Sequence, residues 1–155
     1  SVRLLLELFG YSDFDLSYDN FGRPVLKDGY FISITHSSDY SAVAISKSPI
    51  GIDIEKMRDK IQKVAYKFIG FEANYLNEKS DFYLRNLTII WSIKEALYKF
   101  YSKPGISLKK QLLVIPFDDE NKTTAWILDS ENRLSCNAIF LEFEKYIFAI
   151  TTRTP

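Results

Sequence analysis

The ten residues "SPIGIDIEKM", positions 48 to 57, alternate without a break at their centre. Isoleucine occupies every second position from 50 to 54, with Asp53 between two of the isoleucines and Glu55 after the last. Because successive side chains of a β-strand point to opposite faces, the pattern predicts a strand with one isoleucine face and one face that carries two carboxylates. The isoleucine face is expected to pack inward.

The two carboxylates on one strand face are a candidate metal site. Like charges a few ångströms apart repel each other unless a cation lies between them. Mg²⁺ prefers oxygen ligands and is typically held by one or two carboxylates together with substrate phosphates. The alternative is that Asp53 and Glu55 form the solvated outer face of an edge strand.

The residues before this strand predict that it is the third of three. "YFISITHS" at 30–37 and "YSAVAIS" at 40–46 have strand patterns, and the turn "SKSPIG" leads into the strand at 50–55. Three consecutive strands joined by short turns predict an antiparallel meander. Ahead of them, residues 2–9 are expected to form a helix that Gly10 ends.

The rest of the chain has helical patterns followed by strand patterns. Helices are expected near 59–69, at 72–76 and from 81 to 101. Strand patterns follow in "QLLVIPF", "TAWILD", "SCNAIFLEF" and "YIFAITTR". This order is typical of an α+β domain with two halves of similar plan.

Composition limits the classes of function. The 155 residues suffice for one domain, and a formal net charge of zero gives no reason to expect nucleic acid or a membrane surface as a partner. Cys136 is the only cysteine, which excludes an internal disulfide and a cysteine metal site. No apolar run approaches the ~20 residues of a membrane span. We therefore expect a soluble, cytoplasmic protein.

A second candidate site lies on the longest predicted helix, in "WSIKEALYK", residues 91 to 99. At about 100° per residue, Trp91, Glu95 and Lys99 share one face of that helix. A separate apolar stripe is expected to face the core; it consists of Ile90, Ile93, Leu97 and Phe100. An acid and a lysine four residues apart can also simply support a surface helix.

His36, the only histidine, lies at the end of a strand pattern, beside small hydroxyl residues, in "ISITHSSDYSAVAIS". The side chain is a candidate for binding a ligand. The alternative is a histidine that is hydrogen-bonded within the turn.

Together, these stretches resemble the 4′-phosphopantetheinyl transferases, and more closely their surfactin-synthetase-activating branch. That branch has a Gly-Lys-Pro turn, a strand ending in Ser-His-Ser, a Gly-Ile-Asp-Ile-Glu strand and a Trp-x-x-Lys-Glu-Ala-x-x-Lys helix. The similar stretches here, in the same order, are "GRP" (22–24), "THS" (35–37), "GIDIE" (51–55), "WSIKEALYK" (91–99) and "PGISL" (104–108).

The resemblance implies the fold of that family. A single domain over 1–155 would consist of two similar halves, about 1–55 and 56–155, each with a helix packed on a small antiparallel sheet. The active site would lie between the halves, where the strand of Asp53 faces the helix of Glu95.

The resemblance also implies an activity. Such enzymes transfer the 4′-phosphopantetheine arm of coenzyme A to a serine of an apo acyl or peptidyl carrier protein, and they release adenosine 3′,5′-bisphosphate. The expected partners are therefore coenzyme A and a carrier protein, and the expected cofactor is Mg²⁺. The chain is expected to be a monomer or a weak homo-oligomer.

The resemblance gives each candidate residue a role. Asp53, Glu55 and Glu95 would bind Mg²⁺, and Glu95 could instead be the base that takes the serine proton. Lys99 would hold a phosphate and stabilise the leaving oxygen. The residues expected to bind coenzyme A, besides Lys99, are Phe21, Gly22, Arg23, Thr35 and His36.

Three features depart from the family pattern. Arg23 stands where lysine is usual and Thr35 where serine is usual, and both keep the charge or the hydrogen-bonding role. Members of this branch also carry an N-terminal segment with basic residues that grip the 3′-phosphate of coenzyme A, and nothing here resembles it. The expectation is an N-terminally shortened domain in which Arg23 and His36 are the main cations at the nucleotide end.

Two other functions use the same residues. One is a coenzyme A-binding family member with lost or weak catalysis. The other is a Mg²⁺-dependent nucleotide phosphohydrolase.

Overall fold

The computed structural model describes residues 2–118 and 120–155. The first part of the chain forms one short helix and five strands. These are α1 (Val2–Leu8), β1 (Leu16–Tyr18), β2 (Pro24–Leu26), β3 (Phe31–Ser37), β4 (Tyr40–Ser46) and β5 (Ile50–Lys56). β1 pairs with β2 and β3 pairs with β4, both antiparallel. The β1–β2 hairpin was not among the elements predicted from the sequence.

The second part contains the long helix and four strands. Its elements are α2 (Lys60–Val64), two 3₁₀ turns (Ala65–Lys67 and Phe71–Asn74), α3 (Tyr83–Tyr101), β6 (Leu112–Val114), β7 (Lys122–Leu128), β8 (Arg133–Phe143) and β9 (Tyr146–Arg153). One antiparallel sheet has the strand order β5-β9-β8-β7-β6. This mixture of helices and antiparallel strands confirms the predicted α+β class.

β5 does not complete a meander with β4, so that prediction is wrong at its third strand. β5 pairs instead with β9. On the side that faces β3, two backbone N–H groups of β5 donate hydrogen bonds to hydroxyl side chains of β3. Ile52 donates to Ser33 Oγ at 3.0 Å, and Ile54 donates to Thr35 Oγ1 at 3.1 Å. Because these hydroxyls satisfy the backbone donors that a ladder would otherwise use, β5 joins the β3–β4 hairpin to the five-stranded sheet without pairing with it.

α3 packs against β5 and β9. Its predicted apolar stripe is buried, which confirms the helical pattern; the stripe is Ile90, Ile93, Leu97 and Phe100. The helix ends at Tyr101, and the next residue, Ser102, has a left-handed φ of 55°. None of the helices in residues 2–118 and 120–155 has the length and apolarity needed to cross a membrane.

Gly51 permits the close approach of β5 to α3. A Cβ atom at this position would lie 1.8 Å from the carbonyl oxygen of Ala96 and 2.8 Å from the amide nitrogen of Phe100. Both are backbone atoms of the helix, so neither can rotate away. Since Gly51 is two residues before Asp53 on the same strand face, this approach places the carboxylate face of β5 against the helix.

Gly51→Ala is expected to lower the free energy of unfolding by about 3 kcal/mol, because the strand and helix must separate to admit the methyl group. Gly29→Ala is the matched control: its Cβ would meet nothing within 4 Å, and only its φ of +83° is strained, at about 1–2 kcal/mol. Urea denaturation measures both. A loss at Gly51 no larger than at Gly29 would contradict this packing.

Candidate active site

The carboxylate face of β5 is covered by α3 and is not a solvated outer face. Asp53 is only 4% exposed. On α3, the ammonium nitrogen of Lys99 lies 2.9 Å from Asp53 Oδ1. Glu55 accepts a hydrogen bond from the indole nitrogen of Trp91 at 3.1 Å. The strand and the helix that the sequence identified separately therefore meet in one site.

Asp53 is a buried carboxylate with one unused oxygen. Oδ1 accepts hydrogen bonds from Lys99 and from the hydroxyl of Thr35, the latter at 3.2 Å. Oδ2 is buried, and no group in the described part of the chain donates to it. Burial raises the pKa of Asp53 to about 7 against the opposing charge of Lys99, and the charges of Glu55 and Glu95 raise it further. Such an oxygen is suited to a cation.

Lys99 is fixed in the site by two hydrogen bonds. Its ammonium group donates to the carbonyl oxygen of Ile52 at 3.0 Å and to Asp53 Oδ1 at 2.9 Å. The side chain is 29% exposed. An ammonium group has three donors, so one remains for a ligand.

Glu95 lies one turn before Lys99 on the same helix face, as predicted. Burial raises the pKa of Glu95; the charge of Lys99 opposes this shift and the charge of Glu55 adds to it. A carboxylate with a raised pKa is better able to take a proton near neutral pH. Both roles predicted for Glu95, metal ligand and base, are compatible with this position.

A cavity of about 440 Å³, the first cavity, is lined by Glu95 and Lys99. Four of the residues predicted to bind coenzyme A also line it: Phe21, Gly22, Arg23 and His36. The turn between β1 and β2, the end of β3 and the end of α3 contribute these residues. Residues of the "GRP", "THS" and "WSIKEALYK" stretches therefore converge on one space, whereas Asp53 and Glu55 are not among its lining residues.

Asp19 organises the β1–β2 turn at this cavity. Its Oδ1 accepts the N–H groups of Phe21 at 2.8 Å and Arg23 at 3.0 Å, and its Oδ2 pairs with the Arg23 guanidinium at 2.9 Å. Gly22 adopts a φ of +75°, which glycine reaches without strain. Because Asp19 already accepts the Phe21 amide, what this turn offers a ligand is the Arg23 charge and the Phe21 ring.

Thr35 and His36 point to opposite sides of β3. Thr35 is 3% exposed, and its hydroxyl connects Asp53 to the backbone N–H of Ile54. It orients Asp53 from the side of β3 and is not among the residues that line the first cavity. His36 lines that cavity. A direct contact of Thr35 with coenzyme A stays a prediction.

A second cavity of about 380 Å³ is lined by Glu55 and Trp91. Trp91 lies one turn before Glu95, so the two cavities flank the same stretch of α3. α2 contributes apolar side chains to the wall of the second cavity. Three cations form what we term the basic wall: Lys56, Arg58 and Lys60.

The donors at this site fit Mg²⁺. Asp53 has an unused buried oxygen, and Glu55 and Glu95 lie close enough for their charges to raise its pKa. Carboxylate oxygens are the ligands that Mg²⁺ prefers. Among residues 2–118 and 120–155, no three His, Cys, Asp or Glu side chains already form a metal cage. A complete cage would therefore need Glu55 and Glu95 to move towards Asp53, and the ligand assignment stays a prediction.

Two lysines, one at the site and one in the core, were given no role from the sequence. Lys103 lines the first cavity, but it lies beyond the end of the helix, so helical spacing could not indicate it. Lys94 is fully buried. Its spacing could have indicated this burial, because Lys94 is four residues after Ile90 and three before Leu97 and therefore lies on the apolar face of the helix.

Comparisons with known proteins agree with this geometry. Residues 49–151 match the family model of the 4′-phosphopantetheinyl transferase superfamily. The 4′-phosphopantetheinyl transferase psf-1 of Bacillus pumilus is 25% identical over 138 residues, covering 86% of this chain and 58% of the relative. The 4′-phosphopantetheinyl transferase Sfp of Bacillus subtilis (strain 168) is 28% identical over 130 residues, covering 78% and 55%.

A third relative, enterobactin synthase component D of Salmonella typhi, is 30% identical over 83 residues, covering 52% of this chain and 36% of the relative. The chain spans about half the length of the Bacillus relatives that it matches. The family match covers well over half of the chain and includes β5, α3 and nearly all of β9. The chain belongs to the 4′-phosphopantetheinyl transferase superfamily, as its motifs predicted.

Proposed function

We propose that this chain carries the active site of an enzyme that transfers the 4′-phosphopantetheine arm of coenzyme A to a serine of an apo carrier protein. The observation that carries the proposal is the meeting of Asp53, Glu95 and Lys99 between β5 and α3. Transfer between two large substrates requires an approach for each. The two cavities, one lined by Glu95 and the other by Glu55, supply these approaches.

The first cavity suits the nucleotide end of coenzyme A. Arg23 and Lys99 offer positive charge to phosphate oxygens, and His36 offers a hydrogen-bond donor. The exposed ring of Phe21 provides an aromatic face on which a base can stack.

The chemical step moves a phosphoryl group. The bond from the serine oxygen to phosphorus forms while the bond to the bridging pyrophosphate oxygen breaks, and adenosine 3′,5′-bisphosphate leaves. Glu95 takes the serine proton, directly or through a water molecule. Lys99 stabilises the negative charge that develops on the leaving phosphate.

Asp53 and Glu55 would hold Mg²⁺, which supplies charge neutralisation at the non-bridging oxygens, with Glu95 as a further ligand when it is not the base. Thr35 and Lys99 fix the orientation of Asp53 Oδ1 and leave Oδ2 for the ion. The chain thus positions one carboxylate oxygen before any ligand arrives.

The second cavity is assigned to the carrier protein. It begins at Glu55 and Trp91, beside the carboxylates, and extends along the basic wall. A basic surface favours an acidic partner by attraction at long range. The assignment makes the basic wall the part of the chain that selects among carriers.

One assay tests the proposed function against its alternatives. The protein is incubated with coenzyme A, Mg²⁺ and an apo carrier protein, and the carrier is weighed by mass spectrometry. A gain equal to the phosphopantetheine arm is expected. Loss of coenzyme A without that gain would indicate a phosphohydrolase, and binding of coenzyme A without turnover would indicate a family member that has lost catalysis.

Arg58→Glu is expected to raise KM for an acidic carrier protein about tenfold and to leave KM for coenzyme A unchanged, because it reverses one charge of the basic wall. Arg133→Glu is the matched control, since Arg133 is exposed and lines neither cavity. The difference should shrink at high salt. Equal increases for both substrates would contradict the assignment of the second cavity.

A further inference from the structure

Lys103 reaches the first cavity because the chain turns sharply at the end of α3. Ser102 has a φ of 55°, and its hydroxyl donates to the carbonyl oxygen of Lys99 at 2.6 Å. The turn directs the following residue back to the space that Lys99 faces. Ser102 and Lys103 both line the first cavity.

Asp129, between β7 and β8, anchors the Lys103 ammonium group. Its Oδ2 accepts hydrogen bonds from Lys103 and, at 2.9 Å, from the hydroxyl of Tyr101. Its Oδ1 accepts the N–H of Ser130 at 2.7 Å. The bonds from Lys103 and Tyr101 lower the pKa of Asp129 to about 2, so this anchor stays charged at neutral pH.

The Lys103 side chain is 49% exposed, whereas that of Asp129 is 7% exposed. Asp129 uses one of the three donors of the ammonium group, which leaves two for a ligand. The buried Asp129 therefore fixes the position of the Lys103 ammonium group, which stays accessible from the cavity.

Lys103 and Lys99 occupy different parts of the cavity wall. Lys99 lies against Asp53, next to the carboxylates that serve the reacting pyrophosphate. Lys103 lies beyond the end of the helix and is bonded to a different acid. Coenzyme A carries a phosphate on its ribose 3′-oxygen in addition to the pyrophosphate, so a second anchored cation has a second anion to bind.

We propose that Lys103, positioned by Asp129, binds the ribose 3′-phosphate of the nucleotide in the first cavity. This inference rests on the proposed function. It adds a cation to the two, Arg23 and His36, that the sequence offered for the nucleotide end.

The test is calorimetric binding of coenzyme A and of 3′-dephospho-coenzyme A. Lys103→Ala is expected to weaken the binding of coenzyme A about tenfold, the value of one charge-assisted contact, and to leave the binding of 3′-dephospho-coenzyme A unchanged. Asp129→Asn is expected to weaken coenzyme A binding in the same selective way but less, because it releases the cation without removing it. Lys110→Ala, outside both cavities, is expected to change neither affinity.

The outcomes separate this inference from the proposed function. A wild-type chain that binds neither nucleotide would overturn both. A wild-type chain that binds coenzyme A, with Lys103→Ala weakening both nucleotides equally or neither, would overturn the inference alone. Lys103→Gln keeps most of the side-chain length, and the same selective loss in this variant would support a role of the charge itself.

Discussion

Asp53→Asn is expected to lower the rate of transfer by about a thousandfold, since it removes an anionic ligand that supports several kcal/mol of charge stabilisation in the transition state. Asparagine keeps the shape of the side chain, and its oxygen can still accept the hydrogen bonds of Thr35 and Lys99. The free energy of unfolding is expected to change by less than about 1 kcal/mol. Removing a buried charge stabilises the folded state, and losing the attraction to Lys99 opposes that gain.

The measurement is the rate of mass gain of an apo carrier protein, with urea denaturation as the test of folding. Asp118→Asn is the matched control, because Asp118 is exposed and lines neither cavity. Full activity of Asp53→Asn would show that the metal assignment is wrong. A loss of activity that accompanies unfolding would show that Asp53 is a structural residue.

Lys94→Met is expected to lower the free energy of unfolding by about 3–5 kcal/mol, because it leaves the carboxylate of Glu72 buried without its cation. Lys94 and Glu72 are both fully buried and lie 2.9 Å apart. The ammonium group also donates to the carbonyl oxygens of Phe68 at 2.7 Å and Leu108 at 2.9 Å. Glu72 in turn accepts the N–H of Val114 at 2.9 Å.

Urea denaturation of a double-mutant cycle separates the charge from the packing. Lys94→Met with Glu72→Gln is expected to be more stable than the sum of the single changes, since neither variant residue is charged. Lys79→Met, at an exposed lysine, is expected to cost less than about 0.5 kcal/mol. Strict additivity in the cycle would contradict a coupled buried pair.

Local patterns predicted the faces of the functional elements but not their surroundings. Alternation placed Asp53 and Glu55 on one side of β5, and helical spacing placed Glu95 and Lys99 on one side of α3. Neither pattern contains the long-range contact at Gly51 that brings the two together. The burial of Asp53 therefore could not be predicted from the strand alone.

The errors have physical causes. β1 and β2 were missed because each has three residues and is surrounded by turn-forming residues. The predicted meander was wrong because β5 bonds to hydroxyl side chains of β3 and not to a strand backbone. Hydrogen bonds from side chains to a strand do not change the alternation of residues along it, so the sequence pattern could not reveal them. Lys94 was missed because charged residues are expected on the solvent side of a helix. Its burial depends on an ion pair with Glu72, which is distant in the sequence.

The pairing of β5 with β9 has a consequence for how the protein is made. Thr151 in β9 donates a hydrogen bond to the carbonyl oxygen of Gly51, and 100 residues separate the two. During synthesis, the strand with both carboxylates leaves the ribosome long before its neighbour in the sheet exists. Contacts of such high sequence separation form late, because the entropy of closing a long loop must first be overcome. The edge of β5 that pairs with β9 is therefore expected to stay uncovered on the nascent chain until β9 has been synthesised.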